Sequence, residues 1–267
     1  MDAYIQNVPE IQPVKRNGRF HLDIPSLTYE QLPTVSVCTI TYKRHKIFDL
    51  AIHNWMNCLY PKDKIEWVIV DDTPFPKINL LKPKIDQLKD PRINYIHVPF
   101  HLKNLAVKRN YAVGKCKNKI IVNMDDDDYY FKDSVLAKVR ALIHYKKKLI
   151  FTLPLGVYNL KNDTSQIMNV HKYNVNKQIP EATLAFYKSF WEQQKFKIMK
   201  GIGGEGYHLV HKRREETIRL PFWFNLIVFQ HKQNVTRGIR DLKSGKGYAN
   251  FYNFFEEDVK KIIQNIK

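Results

Sequence analysis

What most narrows the fold is an alternation that runs through the first ~125 residues. Val35–Thr41 is a compact β-branched run, and Phe48, Ala51, Ile52, Trp55, Met56 and Leu59 then recur at helical spacing until Pro61 stops the helix. Ile65–Val70 is a second apolar strand, and the order repeats with Ile93–Val98 (strand), Leu102–Val113 (helix) and Lys119–Met124 (strand). Such near-continuous apolar strands offer no polar face to water, so both faces need cover, and right-handed crossover helices supply it. The expectation is α/β: a Rossmann-like, mostly parallel central sheet flanked by helices, with residues 33–128 forming a nucleotide-binding half.

Beyond that half the pattern shortens. A helix is expected over Asp133–Tyr145, strands near Leu149–Leu153, Gln166–Lys172 and Thr183–Tyr187, and short helices over Ser189–Phe196 and Glu205–Lys212. Trp223–His231 reads as a late strand, Thr236–Asn250 as a basic, glycine-bearing loop, and Glu256–Ile266 as an amphipathic helix with Val259, Ile262, Ile263 and Ile266 on one side. Residues 1–32 hold three prolines and no clean period, which suggests an extended arm lying on the domain rather than part of its core. The division expected is an arm (1–32), a main domain (33–235, with 129–235 as its second half) and a terminal unit (236–267).

Met1–Glu10 has no basic stretch leading into an apolar run, and no segment reaches the ~18 apolar residues that would span a bilayer, so neither signal peptide nor anchor is expected. Cys38, Cys58 and Cys116 are widely spaced without a CxxC pair, which argues against a disulfide framework or a cysteine zinc site; a reducing, cytoplasmic setting is the expectation. With 44 Lys+Arg against 26 Asp+Glu the formal charge is +18, an attraction for something anionic that does not by itself distinguish nucleic acid, membrane face or phosphorylated small molecule.

Position distinguishes them. In doubly wound sheets ligands bind beyond the carboxyl ends of the strands, and three of these exits are polar: Thr41-Tyr42-Lys43-Arg44, Asp71-Asp72-Thr73 and Asp125-Asp126-Asp127-Asp128. Four adjacent carboxylates repel one another unless a cation compensates. In extended backbone Asp125 and Asp127 would share one face and Asp126 and Asp128 the other, a pairing that suits Mn2+ or Mg2+ with a substrate diphosphate. Neither GxGxxG nor GxxxxGK[ST] occurs, which counts against dinucleotide oxidoreductases and P-loop enzymes.

Together these residues resemble the GT-A fold glycosyltransferases, in particular the family 2-like group that uses nucleotide sugars. Val35–Arg44 is similar to that family's opening strand and Thr-Tyr-Asn-Arg turn, with Lys43 in place of the usual Asn; Val68–Thr73 is similar to its second strand and Asp-Asp pair. Lys108-Arg109-Asn110 resembles its Ala-Arg-Asn segment and Met124–Asp128 its DXD motif, and the likeness extends over roughly 33–235. It implies a GT-A sheet with a smaller mixed acceptor-side region. It also implies that Tyr42 and Asp72 hold the nucleotide base, with Thr41, Arg44 and Arg109 nearby, that Asp125 and Asp126 join the donor site, and that Asp125 and Asp127 take the ribose and the metal. Glu181–Lys188 looks like the acceptor-side strand, and Gly203–Gly206 falls where a Gly-Glu-Asp motif supplies the catalytic base. Gly206 replaces that aspartate, which leaves Glu205 as the nearest carboxylate able to deprotonate an acceptor hydroxyl. His231-Lys232-Gln233-Asn234 resembles a late His-x-x-Asn element, with His231 as a further metal ligand or a donor to the leaving phosphate, and the basic loop after it as a lid.

The expected activity is metal-dependent, inverting transfer of a sugar from a nucleoside-diphosphate sugar, by default a UDP-sugar, to a hydroxyl on a glycan, protein or lipid-linked acceptor. Two rivals stand beside it: a nucleotidyltransferase or sugar-nucleotide-binding protein of the same fold, and a basic nucleic-acid-binding protein, against which the acidic cluster at the mouth of the fold argues. Phe251–Phe255 and the final helix have packing on the domain, dimerisation and peripheral membrane contact open to them, with packing ranked first. Oligomeric state is left open.

Overall fold

In the computed structural model the described residues are 8–168, 179–198, 204–232, 234 and 250–266, apart from the side chains of 78 and 79. Lys172, Gly203, Gln233 and the basic loop at 236–249 lie outside them.

A hairpin of β1 (Val14–Arg16) and β2 (Arg19–His21) precedes the alternation. Then come β3 (Val35–Thr41), α1 (Asp49–Met56), β4 (Ile65–Asp71), α2 (Lys82–Gln87), β5 (Ile93–His97), α3 (Leu105–Lys115) and β6 (Ile120–Asn123). The second half holds β7 (Tyr129–Tyr130), α4 (Ser134–His144), β8 (Leu149–Phe151), β9 (Gly156–Asn159), β10 (Thr164–Ile167), β11 (Ala185–Tyr187) and α5 (Lys188–Gln193). It closes with α6 (Glu205–Val210), β12 (Thr217–Arg219), β13 (Leu226–Gln230) and α7 (Glu257–Ile266).

The main sheet has the order β12-β8-β11-β6-β3-β4-β5. β6, β3, β4 and β5 are mutually parallel, as the alternation predicts, and every side chain of β3 is buried. β11 runs antiparallel between β6 and β8. Its start therefore lies at the edge where β3, β4 and β6 end, and Asn123 ties the two together: its N–H donates to the Leu184 carbonyl (2.9 Å) and its amide to the Glu181 carbonyl (2.8 Å). A smaller sheet, β10-β9-β13-β7, forms the mixed second layer.

Several local expectations change. α1 stops at Met56, and Met56 and Leu59 are exposed because the buried stripe instead takes in Leu50 and the polar Asn54. The Asn54 amide donates to the Asp128 carbonyl (2.8 Å) and accepts the Tyr130 N–H (3.1 Å), so polar atoms that would be costly to bury unpaired hold α1 to the acidic turn. β9 had no sequence signal, since only Val157 and Tyr158 are apolar between Gly156 and Asn159. Glycine is required at its start, where a Cβ would lie 2.7 Å from the Phe222 ring.

The arm does more than lie on the surface: Ile11, Ile24 and Leu32 are buried in the same apolar cluster as Val35, Trp67 and Ile120. Pro9 and Ile11 also exchange backbone hydrogen bonds with Arg219 of β12 (2.8 and 3.0 Å). At the other end Phe251, Phe255, Val259 and Ile263 are buried against Leu50, Tyr129, Tyr158 and Phe229. Each such side chain contributes roughly 1.5–3 kcal/mol of burial, which a ten-residue helix needs because alone it would be marginal in water. No described helix is long and apolar enough to cross a membrane.

Candidate active site

A cavity of about 510 Å3 opens at the carboxyl edge of β3, β4 and β6. Thr41, Tyr42, Arg44, Lys108, Arg109, Asp125, Asp126, Asp127, Glu181, Glu205 and Asn234 line it. The residues expected to bind donor, metal and proton thus meet in one cleft, with two exceptions in depth, Asp72 and His231.

The first wall follows β3. Lys43 adopts φ +55° and donates its N–H to the Thr73 hydroxyl (2.7 Å). This left-handed conformation is one Asn tolerates better than Lys, so the usual Asn at this turn has a steric reason. The turn sends its neighbours apart. Tyr42 stacks on His101 (ring centroids 3.9 Å apart, 23° between planes), while the Arg44 guanidinium reaches Asp126 (2.9 Å) and, closer still, Asp127.

Asp72 sits behind this wall. Its fully buried carboxylate accepts from the Lys108 ammonium, from His101 Nδ1 (2.9 Å) and from the Leu102 N–H (2.7 Å). It does not line the cavity; it holds Lys108 and His101, the stacking partner of Tyr42, from behind. Lys108 also donates to the Thr41 carbonyl; burial pushes its ammonium pKa down, and Asp72 opposes that.

The acidic segment departs from strict alternation because β6 ends at Asn123 and the chain turns before β7. Asp126 and Asp127 converge on Arg44, whereas both Asp125 oxygens accept from the Arg109 guanidinium (3.0 and 2.8 Å) and Asp128 accepts the Phe229 N–H (3.1 Å). Asp125 and Asp127 are therefore not paired on one face. Burial raises the Asp126 pKa to about 6 against the opposing charge of Arg44. Burial would raise Asp127 too, but Arg44 and His231 overcome it and hold that carboxyl at about 2.

The second wall is built by α3, α6 and the turn before β11. The Asn104 side chain caps α3 by accepting from the Ala106 and Val107 N–H groups, and the helix presents a buried Arg109 whose Nε donates to Glu205 (3.0 Å). Glu205, the expected base, is thus ion-paired to the guanidinium that also holds Asp125. Beside it lies Glu181, which the sequence placed only as the first residue of the acceptor-side strand. Its Oε1 accepts the Gly206 N–H (2.7 Å), and a Cβ on Gly204 would come within 2.6 Å of that oxygen. Burial first, and the Glu205 charge second, raise its pKa to about 8. The signal available for it was the Gly-Glu-Gly spacing at 204–206, which leaves room for a side chain from elsewhere.

His231 sits behind Asp127, with Nε2 3.0 Å from its carboxylate, and the Asn234 amide, which does line the cleft, stands 3.5 Å from the same oxygen. Among the described residues no three His, Cys, Asp or Glu side chains converge as a metal cage. The donors do fit a less complete site: Asp127 and His231 are adjacent, and Asp126 Oδ2 is buried without a hydrogen-bond partner among the described residues. Mg2+-type sites take one or two carboxylates and complete their shell with water and substrate phosphate. The positive charge at this spot is that of Arg44.

Known proteins resemble the chain in sequence and in fold. The sequence profile of “Glycosyl transferase family 2” matches residues 36–203. No curated protein sequence matches the chain. Among solved structures, a mannosyltransferase from Pyrobaculum calidifontis in complex with GDP-Man and Mn2+ is similar at 18% identity and a TM-score of 0.59, over 91% of this chain and 71% of that one. S. aureus TarS in complex with UDP-GlcNAc is similar at 11% identity and a TM-score of 0.59, over 79% of this chain and 61% of that one. At these identities the likeness establishes the GT-A fold.

Proposed function

Since the chain belongs to glycosyl transferase family 2 and is a sugar transferase of GT-A fold, we propose that it takes its sugar from a nucleoside-diphosphate sugar, with a divalent cation, and transfers it to a hydroxyl with inversion. One observation carries this: a stacking wall (Tyr42–His101), a carboxylate turn answered by arginine, and a second carboxylate pair all open on one cavity. The nucleobase lies against Tyr42 and His101, with Asp72 and Lys108 as the support behind them. The diphosphate lies toward Arg44, and Asp125, fixed by Arg109, faces the ribose.

Asp127 and His231 hold the cation, with Asp126 next to them. When bound, Mn2+ or Mg2+ supplies Lewis acidity that stabilises charge on the departing nucleoside diphosphate. Arg44 exchanges its carboxylate partners for the phosphates, a positive charge directed at the group where negative charge develops. A UDP-sugar is the favoured donor, and an acceptor hydroxyl on a glycan, protein or lipid-linked molecule approaches from the Glu181–Glu205 side.

The experiment is thermal-shift titration of UDP and of GDP, each with Mn2+ and with EDTA, on wild type and Asp127→Ala. A metal-dependent stabilisation that Asp127→Ala abolishes is expected. No shift with either nucleotide, together with a salt-sensitive shift by RNA, would replace sugar transfer by nucleic-acid binding as the role of the +18 charge.

A further inference from the structure

We propose that Glu181, not Glu205, is the group that accepts the proton of the acceptor hydroxyl; this rests on the sugar-transfer reading above. Glu181 lines the same cavity as the donor-side residues of the β3 turn. Its carboxylate fills a slot made by two missing side chains: a Cβ on Gly204 would lie 2.6 Å from Oε1, and one on Gly206 would lie 3.0 Å from it. Gly206 is the position where an aspartate was expected, so the space left by that side chain is occupied by a carboxylate from the turn before β11. The Gly206 N–H fixes Oε1 at 2.7 Å.

Glu205 is differently placed. Its Oε1 accepts from Arg109 Nε, and the remaining nitrogens of that guanidinium hold Asp125. That oxygen is engaged with Arg109 rather than open to an acceptor hydroxyl. The groups facing Glu181 are Glu205 and the Gly206 N–H from α6 and Arg109 from α3, with Asp125 behind Arg109. Burial beside the Glu205 charge raises the Glu181 pKa to about 8, a basicity suited to proton transfer near neutrality.

In the step so assigned, the acceptor O–H bond breaks and its proton goes to a Glu181 carboxylate oxygen. The acceptor oxygen forms the bond to the anomeric carbon as the bond from that carbon to the phosphate oxygen breaks. The electron pair of that bond leaves with the nucleoside diphosphate.

The test uses the full chain with Mn2+ and UDP-GlcNAc or GDP-mannose as donor probes, water and p-nitrophenyl glycosides as acceptors, and sodium azide as an anionic nucleophile that needs no base. Glu181→Gln, which keeps an oxygen for the Gly206 N–H, and Glu181→Ala should bind the nucleotide with an unchanged thermal shift. Both should lose nucleoside-diphosphate release by about 10²–10⁴-fold, the usual contribution of a general base. Azide should restore turnover in Glu181→Ala and yield a glycosyl azide. Wild-type turnover in Glu181→Ala, or azide rescue of Glu205→Ala in its place, would overturn the assignment while leaving the donor site standing. Failure of wild type to bind either nucleotide would instead remove the sugar-transfer reading, and this assignment with it.

Discussion

Replacing Glu181 by Gln should make the protein more stable, and more so as the pH rises. The carboxyl is buried beside Glu205, and its pKa stands at about 8 against an ordinary 4.5. The folded chain therefore holds this proton more tightly than the unfolded one. The associated stability is fully present below pH 4.5 and is lost as pH rises through about 8. At roughly 1.4 kcal/mol per pH unit, wild type forgoes on the order of 3 kcal/mol by pH 7 and somewhat more above pH 8. Gln does not titrate, retains the acceptor for the Gly206 N–H and removes the repulsion from Glu205. Urea denaturation of both proteins, at intervals from about pH 5 to about pH 9 without nucleotide or metal, gives the difference directly, because other titrating groups are common to both. The gap should be small near pH 5, widen to about 3 kcal/mol at pH 7 and level off above pH 8. A gap that stays constant across this range would mean that Glu181 is ionised throughout, and the reasoning that ties its basicity to burial would be wrong.

Gly204→Ala should keep the fold but expel the Glu181 carboxylate from its slot, since the new Cβ would lie 2.6 Å from Oε1; donor turnover should fall while the nucleotide thermal shift persists. Arg44→Gln should increase the stabilisation produced by Mn2+ alone, because it removes the cation that now neutralises Asp126 and Asp127; an unchanged or smaller shift by Mn2+ would mean that Arg44 does not compete for this place. Lys138 is fully buried with no hydrogen-bond partner for its amine among the described residues, and burial lowers its pKa from 10.5 to about 7. Lys138→Met should therefore stabilise by on the order of 4 kcal/mol at or below pH 7, a gain that shrinks as pH rises toward 10.5 and that paired denaturation curves at about pH 6 and pH 10 would measure.

The parallel core was legible because its strands are apolar at nearly every position and its helices are periodic, two signals that do not depend on distant partners. The exits of β3 and β6 were legible for the same reason: once the strands are placed, Tyr42, Arg44 and Asp125–Asp128 can only follow them. What the sequence did not show depends on contacts across the chain. Asp72 was expected at a ligand, and its partners Lys108, His101 and Leu102, which set how deep it lies, come some thirty residues further on. The pairing of Asp125 with Asp127 assumed extended backbone, and the turn before β7 cancels the period of two. Glu181 was hidden because its role depends on glycines more than twenty residues away. β9 was hidden because its pairing with β13 is non-local and its own residues barely alternate.

The exchange between Pro9, Ile11 and Arg219 has a consequence for solubility. β12 is the last strand of the main sheet on its side, and an uncovered last strand offers a row of free N–H and C=O groups to any other chain. Residues 9–11 occupy part of that row, and the Glu10 carboxylate stands 3.5 Å from the Arg219 guanidinium. A fragment beginning at Pro33, where the regular alternation starts, would bare this border and leave holes where Ile11, Ile24 and Leu32 are seated. Such a fragment should self-associate through β12, so the arm serves as a guard against edge-to-edge aggregation although it lies far from the cleft in sequence.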